Sequence, residues 1–125
     1  LGALLLVLLA GVVGKYVIKI MNGDTAIATL ADNNQSDAMA EATNYLIENH
    51  DLISVLEPLP YVPGRKNALI NDQPVHPDGK GEMRTHRELT NGYYLFTSFN
   101  KRDKKRHVQR FAEKCGLEVE FEGGW

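Results

Sequence analysis

Apolar and polar positions change rhythm several times along the chain. Leu1–Val13 reads LGALLLVLLAGVV and holds no polar side chain. Beyond it, two Asn-Gly dipeptides sit inside stretches suited to strands. Asn22-Gly23 lies between Tyr16–Met21 and Thr25–Ala31, and Asn91-Gly92 lies between Met83–Leu89 and Tyr93–Phe99. Asn-Gly supplies the positive φ angles that a tight turn demands, so each pair predicts a β-hairpin. After each hairpin the period lengthens to that of a helix. Ser36–Asn49 predicts the first, with Ser36 as N-cap and Met39, Ala42 and Leu46 on one face. The second starts at Asn100 as N-cap, buries Val108, Phe111, Ala112 and Cys115, and stops at Gly116. A short strand is expected after each helix. Leu52–Leu56 is the first, closed by Pro58, and the alternating LEVEF of Leu117–Phe121 is the second, half solvated.

The chain therefore reads as two hairpin–helix–strand halves, alike in pattern but not in residue identity. Packed into one antiparallel sheet with both helices on one face, they predict an α+β fold, a ferredoxin-like α/β sandwich. The stretch from YYLFTSF to LEVEFEG resembles ferredoxin-like domains in general form, over about a quarter of the chain. That resemblance implies fold and no functional residues. Between the halves runs an insertion at 57–81 that contains all five prolines. Within it, Ala68–Ile70 and Gln73–Val75 could pair around Asn71-Asp72. Long, proline-stiffened loops commonly carry function.

The N-terminal segment, residues 1–14, reads as separate from a single domain at 15–125. Thirteen apolar residues form a helix of about 20 Å, short of the roughly 30 Å hydrocarbon core. A helix continued to Met21 has the length, with Lys15 and Lys19 reaching toward headgroups. The chain begins with Leu, and an upstream extension would lengthen the span as well. Three readings compete: a membrane anchor, a signal-peptide core and a buried element of the fold. The anchor leads, which makes the membrane a partner through Leu1–Val13 and the protein membrane-associated or exported. Lys15 and Lys19 favour a cytoplasmic domain.

Composition changes this picture little. Apolar residues at 43% and charged residues at 24% describe a globular chain, and a lone Cys115 excludes an internal disulfide. Charge is more informative, because a net −2 hides three segments. Residues 1–20 carry two bases and no acid, residues 21–100 five bases and eleven acids, and residues 101–125 seven bases and five acids. Such a balance argues against a dedicated nucleic-acid binder, although six bases fall within Lys101–Arg110.

That cluster, Lys101, Arg102, Lys104, Lys105, Arg106 and Arg110, is the first candidate site. Bases in the first turn oppose the helix dipole at a cost of a few tenths of a kcal/mol each. Nucleic-acid phosphate, anionic lipid or an acidic protein could offset that cost, lipid by about 1 kcal/mol per base. The neighbouring Tyr93, Tyr94, Phe96 and Phe99 could offer stacking faces to bases. The second candidate draws His76 and Asp78 from the loop and Arg84, His86, Arg87 and Glu88 from the following strand. On a strand, Arg84, His86 and Glu88 share one face and Thr85 and Arg87 the other. With His76 they could form an acid–base or anion-binding set. A solvated edge that resists aggregation explains the same row.

The spacing fits no metal motif, and neither metal nor cofactor is expected. His50 reads as a helix C-terminal residue, His107 as a core-edge histidine and Cys115 as a buried hydrophobe. Gly79 and Gly81 read as turn glycines, with no helix following to make a P-loop. The expectation is thus a small membrane-anchored or exported interaction module without catalysis of its own, binding a protein partner or its own copy. One alternative is a small enzyme or nucleotide-binding domain using Arg84, His86 and Glu88 at a subunit interface. The other is nucleic-acid binding through residues 101–110.

Overall fold

The computed structural model describes residues 14–77 and 79–125. Leu1–Val13, and with it the choice between anchor, signal and buried element, lies outside the described residues, as does Asp78. Strand β1 (Tyr16–Asn22) begins two residues after Gly14, so no helix continues to Met21. It runs antiparallel to β2 (Thr25–Asp32), from Tyr16 opposite Asp32 to Asn22 opposite Thr25. Gly23 at φ +62° makes the expected turn. Ile20 faces Ala28 while Met21 faces Ala26, which leaves Ile27 as the extra residue of a β-bulge. Among the described residues no helix is long and apolar enough to cross a membrane.

Helix α1 (Gln35–His50) follows, two residues longer than the sequence suggested. Its N-cap is Asn34 rather than Ser36, because the Asn34 Oδ1 accepts the Asp37 N–H at 3.0 Å. Met39, Ala42 and Leu46 are buried, and Asp51 at φ +57° ends the helix. Leu52–Leu56, expected as a strand, is a short helix, α2. Leu52, Ile53 and Leu56 are buried while Val55 is 47% exposed, a one–two–five spacing that suits a helical turn and not a strand. A run of five apolar residues cannot be assigned by periodicity alone.

With α2 in place of a strand, the halves do not share one sheet. Strands β3 (Ile70–Asn71), β4 (His86–Glu88) and β5 (Tyr94–Phe96) form a second antiparallel sheet in the order β3-β5-β4. Val75 bridges Glu82 and Ile70 bridges Tyr61, so the small hairpin expected within 68–75 does not form. The Asn91-Gly92 hairpin does form around a 3₁₀ turn, with Asn91 at φ +61° and Gly92 at φ +82°. Its strands are shorter than the apolar pattern implied. The fold is α+β, with two three-stranded antiparallel sheets and three helices among the described residues.

Helix α3 (Lys101–Lys114) starts at the expected N-cap, where the Asn100 Oδ1 accepts the Asp103 N–H at 2.8 Å. Its far end is a Schellman motif. Leu117 N–H reaches the Ala112 carbonyl at 2.8 Å and Gly116 N–H the Glu113 carbonyl at 2.9 Å, with Gly116 at φ +77°. The chain then enters β6 (Glu118–Gly123), which pairs antiparallel with β1 and gives the first sheet the order β2-β1-β6. Ile18 and Ile20 of β1, Met39 and Leu46 of α1, Val108 and Phe111 of α3, and Ile70 and Leu95 of the second sheet meet in one core. Gly116→Ala puts a Cβ into the left-handed region, which should cost about 1–2 kcal/mol in urea unfolding while leaving the fold intact.

Candidate functional site

The residues singled out by sequence do not converge. His76 is buried, and its Nδ1 accepts the Ala68 N–H at 3.1 Å while its ring meets Phe96 edge-on at 4.7 Å. That ring holds the loop to the second sheet. Arg84 lies in a bend before β4, not on the strand, and is exposed. His86 sits 3.1 Å from the Met83 carbonyl and packs against Tyr94, and Glu88 is exposed. None of His76, Arg84, His86 and Glu88 lines any of the four main cavities among the described residues.

The polar side chains that do meet belong to Arg87, on the opposite face of β4, and to the start of α1. Arg87 Nε donates to Asp37 Oδ1, its Nη2 to the Asn34 Oδ1 at 3.3 Å, and its Nη1 to the His86 carbonyl at 3.2 Å. The guanidinium is therefore placed by its own strand and read by a helix N-terminus. Asn34 serves both, capping α1 and accepting from Arg87. Asp32, the last residue of β2, accepts the Asn34 N–H at 3.1 Å and hydrogen-bonds Glu41 in the second turn of α1. Lys104 enters from α3, nearly buried, with its Nζ 3.4 Å from the Gln35 Oε1.

These groups shift each other's protonation. Burial, the hydrogen bond to Asp32 and the charges of Asp32 and Asp37 push Glu41 up to about 7. Asp32 moves the other way, lowered mainly by that same hydrogen bond and helped by backbone N–H groups and Arg87. Below about pH 7 the pair thus carries one proton, on the Glu41 side. A carboxyl titrating near neutrality can exchange a proton under physiological conditions. Burial, with Arg87 second, lowers Lys104. Sequence reasoning counted Arg87 in the second candidate but placed it on the strand face opposite Arg84, His86 and Glu88. The signal for this network was strand alternation, which points Arg87 toward the acid-rich first turns of α1.

The basic helix start is largely occupied within the fold. Lys101 Nζ donates to the Gly124 carbonyl at 2.7 Å, Arg106 pairs with Asp103 at 2.7 Å, and Lys105 lies 5.7 Å from the Phe121 ring centroid. With Lys104 on Gln35, four of the six bases have a close internal partner, whereas Arg102 reaches Asp103 only at 3.9 Å and, like Arg110, is exposed. His107 is half-buried with its ring 4.5 Å from that of Phe99, as a core-edge histidine should be. Cys115, expected to be buried, is half-buried, because it lies at the helix end beside Gly116, and burial raises its thiol above the ordinary value. Among the described residues no three His, Cys, Asp or Glu side chains are grouped to hold a metal ion.

No protein-family description matches the chain, and no significant similarity links it to a curated protein or to a solved structure.

The shared proton has a consequence for stability. Because folding raises Glu41 from 4.5 to about 7, its stabilising contribution is complete below 4.5 and is lost as pH rises through about 7. Thermal unfolding should therefore show stability declining across that window. Glu41→Gln, which keeps a hydrogen-bond donor toward Asp32 at every pH, should flatten the decline. An unchanged slope in the variant would show that the shared proton is absent.

Proposed function

We propose that the chain is a small membrane-anchored or exported interaction module that acts by binding rather than by catalysis. The observation that carries this reading is the outer edge of β2. Among the described residues β2 pairs only with β1, so one side of an eight-residue strand presents backbone N–H and C=O groups. Between Asp24 and Asp32 it carries neither charge nor proline. Lys, charges and prolines are the usual devices that keep edge strands from pairing. β6, the opposite edge of the same sheet, has Glu118, Glu120 and Glu122. The contrast favours β2 as a docking edge.

A second copy suits that edge. Two uncharged strands can pair antiparallel about a two-fold axis, giving one continuous sheet of six strands and an isologous dimer. Ile27, displaced by the bulge and 37% exposed, supplies an apolar contact beside the backbone pairing. The ferredoxin-like α/β sandwich remains the finer architectural proposal. Its support is the last strand pairing antiparallel with the first, with α1 and α3 packed on each other and on that sheet. The apolar Leu1–Val13 followed by Lys15 supports the membrane address.

Two measurements test the proposal. Light scattering of the full chain in mild detergent should give a dimer, and Ile27→Lys with Thr29→Lys should return it to a monomer. A monomeric wild-type chain at high micromolar concentration rejects pairing through β2. Fractionation should place the full chain with membranes, and its recovery in the soluble fraction would remove the anchor.

A further inference from the structure

The proline-rich insertion builds a cavity that neither the Arg87 network nor the β2 edge uses. Its base is closed by backbone hydrogen bonds, with Leu69 N–H on the Tyr61 carbonyl at 2.7 Å and Tyr61 N–H on the Ile70 carbonyl at 2.8 Å. Ala68 N–H is held at the same time by His76. The lobe between these anchors is thereby held against α3. It encloses about 380 Å³, lined by Arg65, Lys66, Asn67, Leu69, Phe99 and His107 among others. That volume falls within the range of small-molecule sites.

The lining divides by chemistry. Leu69 is buried and Phe99 half-buried, and together they make an apolar floor. Phe99 is braced by Phe96 at 5.2 Å and by His107 at 4.5 Å between ring centroids, so its ring is fixed before any ligand arrives. Arg65 and Lys66 bring two positive charges to the rim, and no carboxylate lines the cavity. Among the described residues neither base takes part in an ion pair. Burial, then the charge of Arg106, lowers His107, so at neutral pH the positive charge of the cavity comes from Arg65 and Lys66. The nearest acid on the helix, Asp103, is engaged by Arg106.

We infer that this cavity is a binding site for a small aromatic anion, an aryl phosphate or comparable ring-bearing ester, with its ring on Leu69 and Phe99 and its charge at Arg65 and Lys66. Charge alone would bind inorganic phosphate as well. The fixed apolar floor is what selects a ring-bearing anion, and Asn67 adds a polar group at the rim.

Phenyl phosphate and inorganic phosphate serve as probes, titrated into the full chain in mild detergent while the His107 ring signals are followed by NMR. Phenyl phosphate should shift those signals in a saturable way and bind about tenfold or more tightly than inorganic phosphate. Arg65→Ala with Lys66→Ala should weaken phenyl phosphate by about tenfold or more, these exposed side chains being removable without disturbing the core. Phe99→Leu should lower affinity for phenyl phosphate while leaving that for inorganic phosphate unchanged. Arg102→Ala, equally basic but outside the cavity, should change nothing. Absence of a saturable shift, equal binding of the two probes, or an equal loss in the Arg102 variant would each overturn the assignment.

Discussion

Strand β1 holds the fold together because it is paired on both sides, by its sequence neighbour β2 and by the last strand, β6. The second pairing joins the two ends of the domain across roughly 100 residues of chain, a closure whose entropic cost grows only slowly with loop length. Six consecutive pairs, from Tyr16 opposite Gly123 to Met21 opposite Glu118, secure it. Once β6 is seated, α3 must lie across the sheet, because the Schellman turn at Gly116 leaves only three residues between helix and strand. Ile18 and Ile20 then receive Phe111 and Val108 from one helix and Met39 and Leu46 from the other. Neither helix would bury its apolar face without that central strand.

The second sheet is attached differently. Its strands are two or three residues long, too short to be stable alone. Apolar packing of Ile70 and Leu95 holds its inner face, and Arg87 fixes its position by bonding the start of α1. Asn44 adds a second tie, its Oδ1 accepting the Thr90 N–H at 2.8 Å. These polar links specify where the sheet docks, whereas the apolar contacts mainly favour that it docks at all. Asp37 and Asn34 thus do two jobs, serving a helix N-terminus and meeting an arginine from a distant strand.

Local chemistry was the legible part of the sequence. Both Asn-Gly turns, the Asn100 cap, the Gly116 stop and the alternation of Glu118–Phe121 have causes within a few residues, and each could be read there. The apolar faces of the two long helices were legible for the same reason. What failed depended on partners far away in sequence. Leu52–Leu56 is helical because Leu52, Ile53 and Leu56 find a core on one side, which its five letters do not reveal. Asn34 displaced Ser36 as cap because three successive polar residues, Asn33, Asn34 and Gln35, offered several starts and tertiary contacts chose one. Arg87 was grouped with the wrong partners because those it meets lie at the start of α1, some fifty positions earlier. The row Arg84, His86 and Glu88 looked like a site only while all three were assumed to lie on one strand.

The charge pattern shows how a sequence feature can lose and gain meaning in three dimensions. Bases at the start of α3 oppose its dipole, and taken alone they seem to require an anionic ligand. In the fold, the Asp103 carboxylate, the Gly124 carbonyl, the Gln35 amide and the Phe121 ring take up four of them, which offsets much of the unfavourable placement. Arg65 and Lys66 drew no notice in the sequence, being two bases within an acidic stretch. Folding carries them away from those acids, since Glu57 and Asp72 line a different cavity, and sets them over an apolar floor. An arginine pair with a carboxylate is already neutralised, while one facing a pocket without acids retains its field. Local geometry therefore makes the dense basic run largely a structural element and leaves the sparse one with charge to offer.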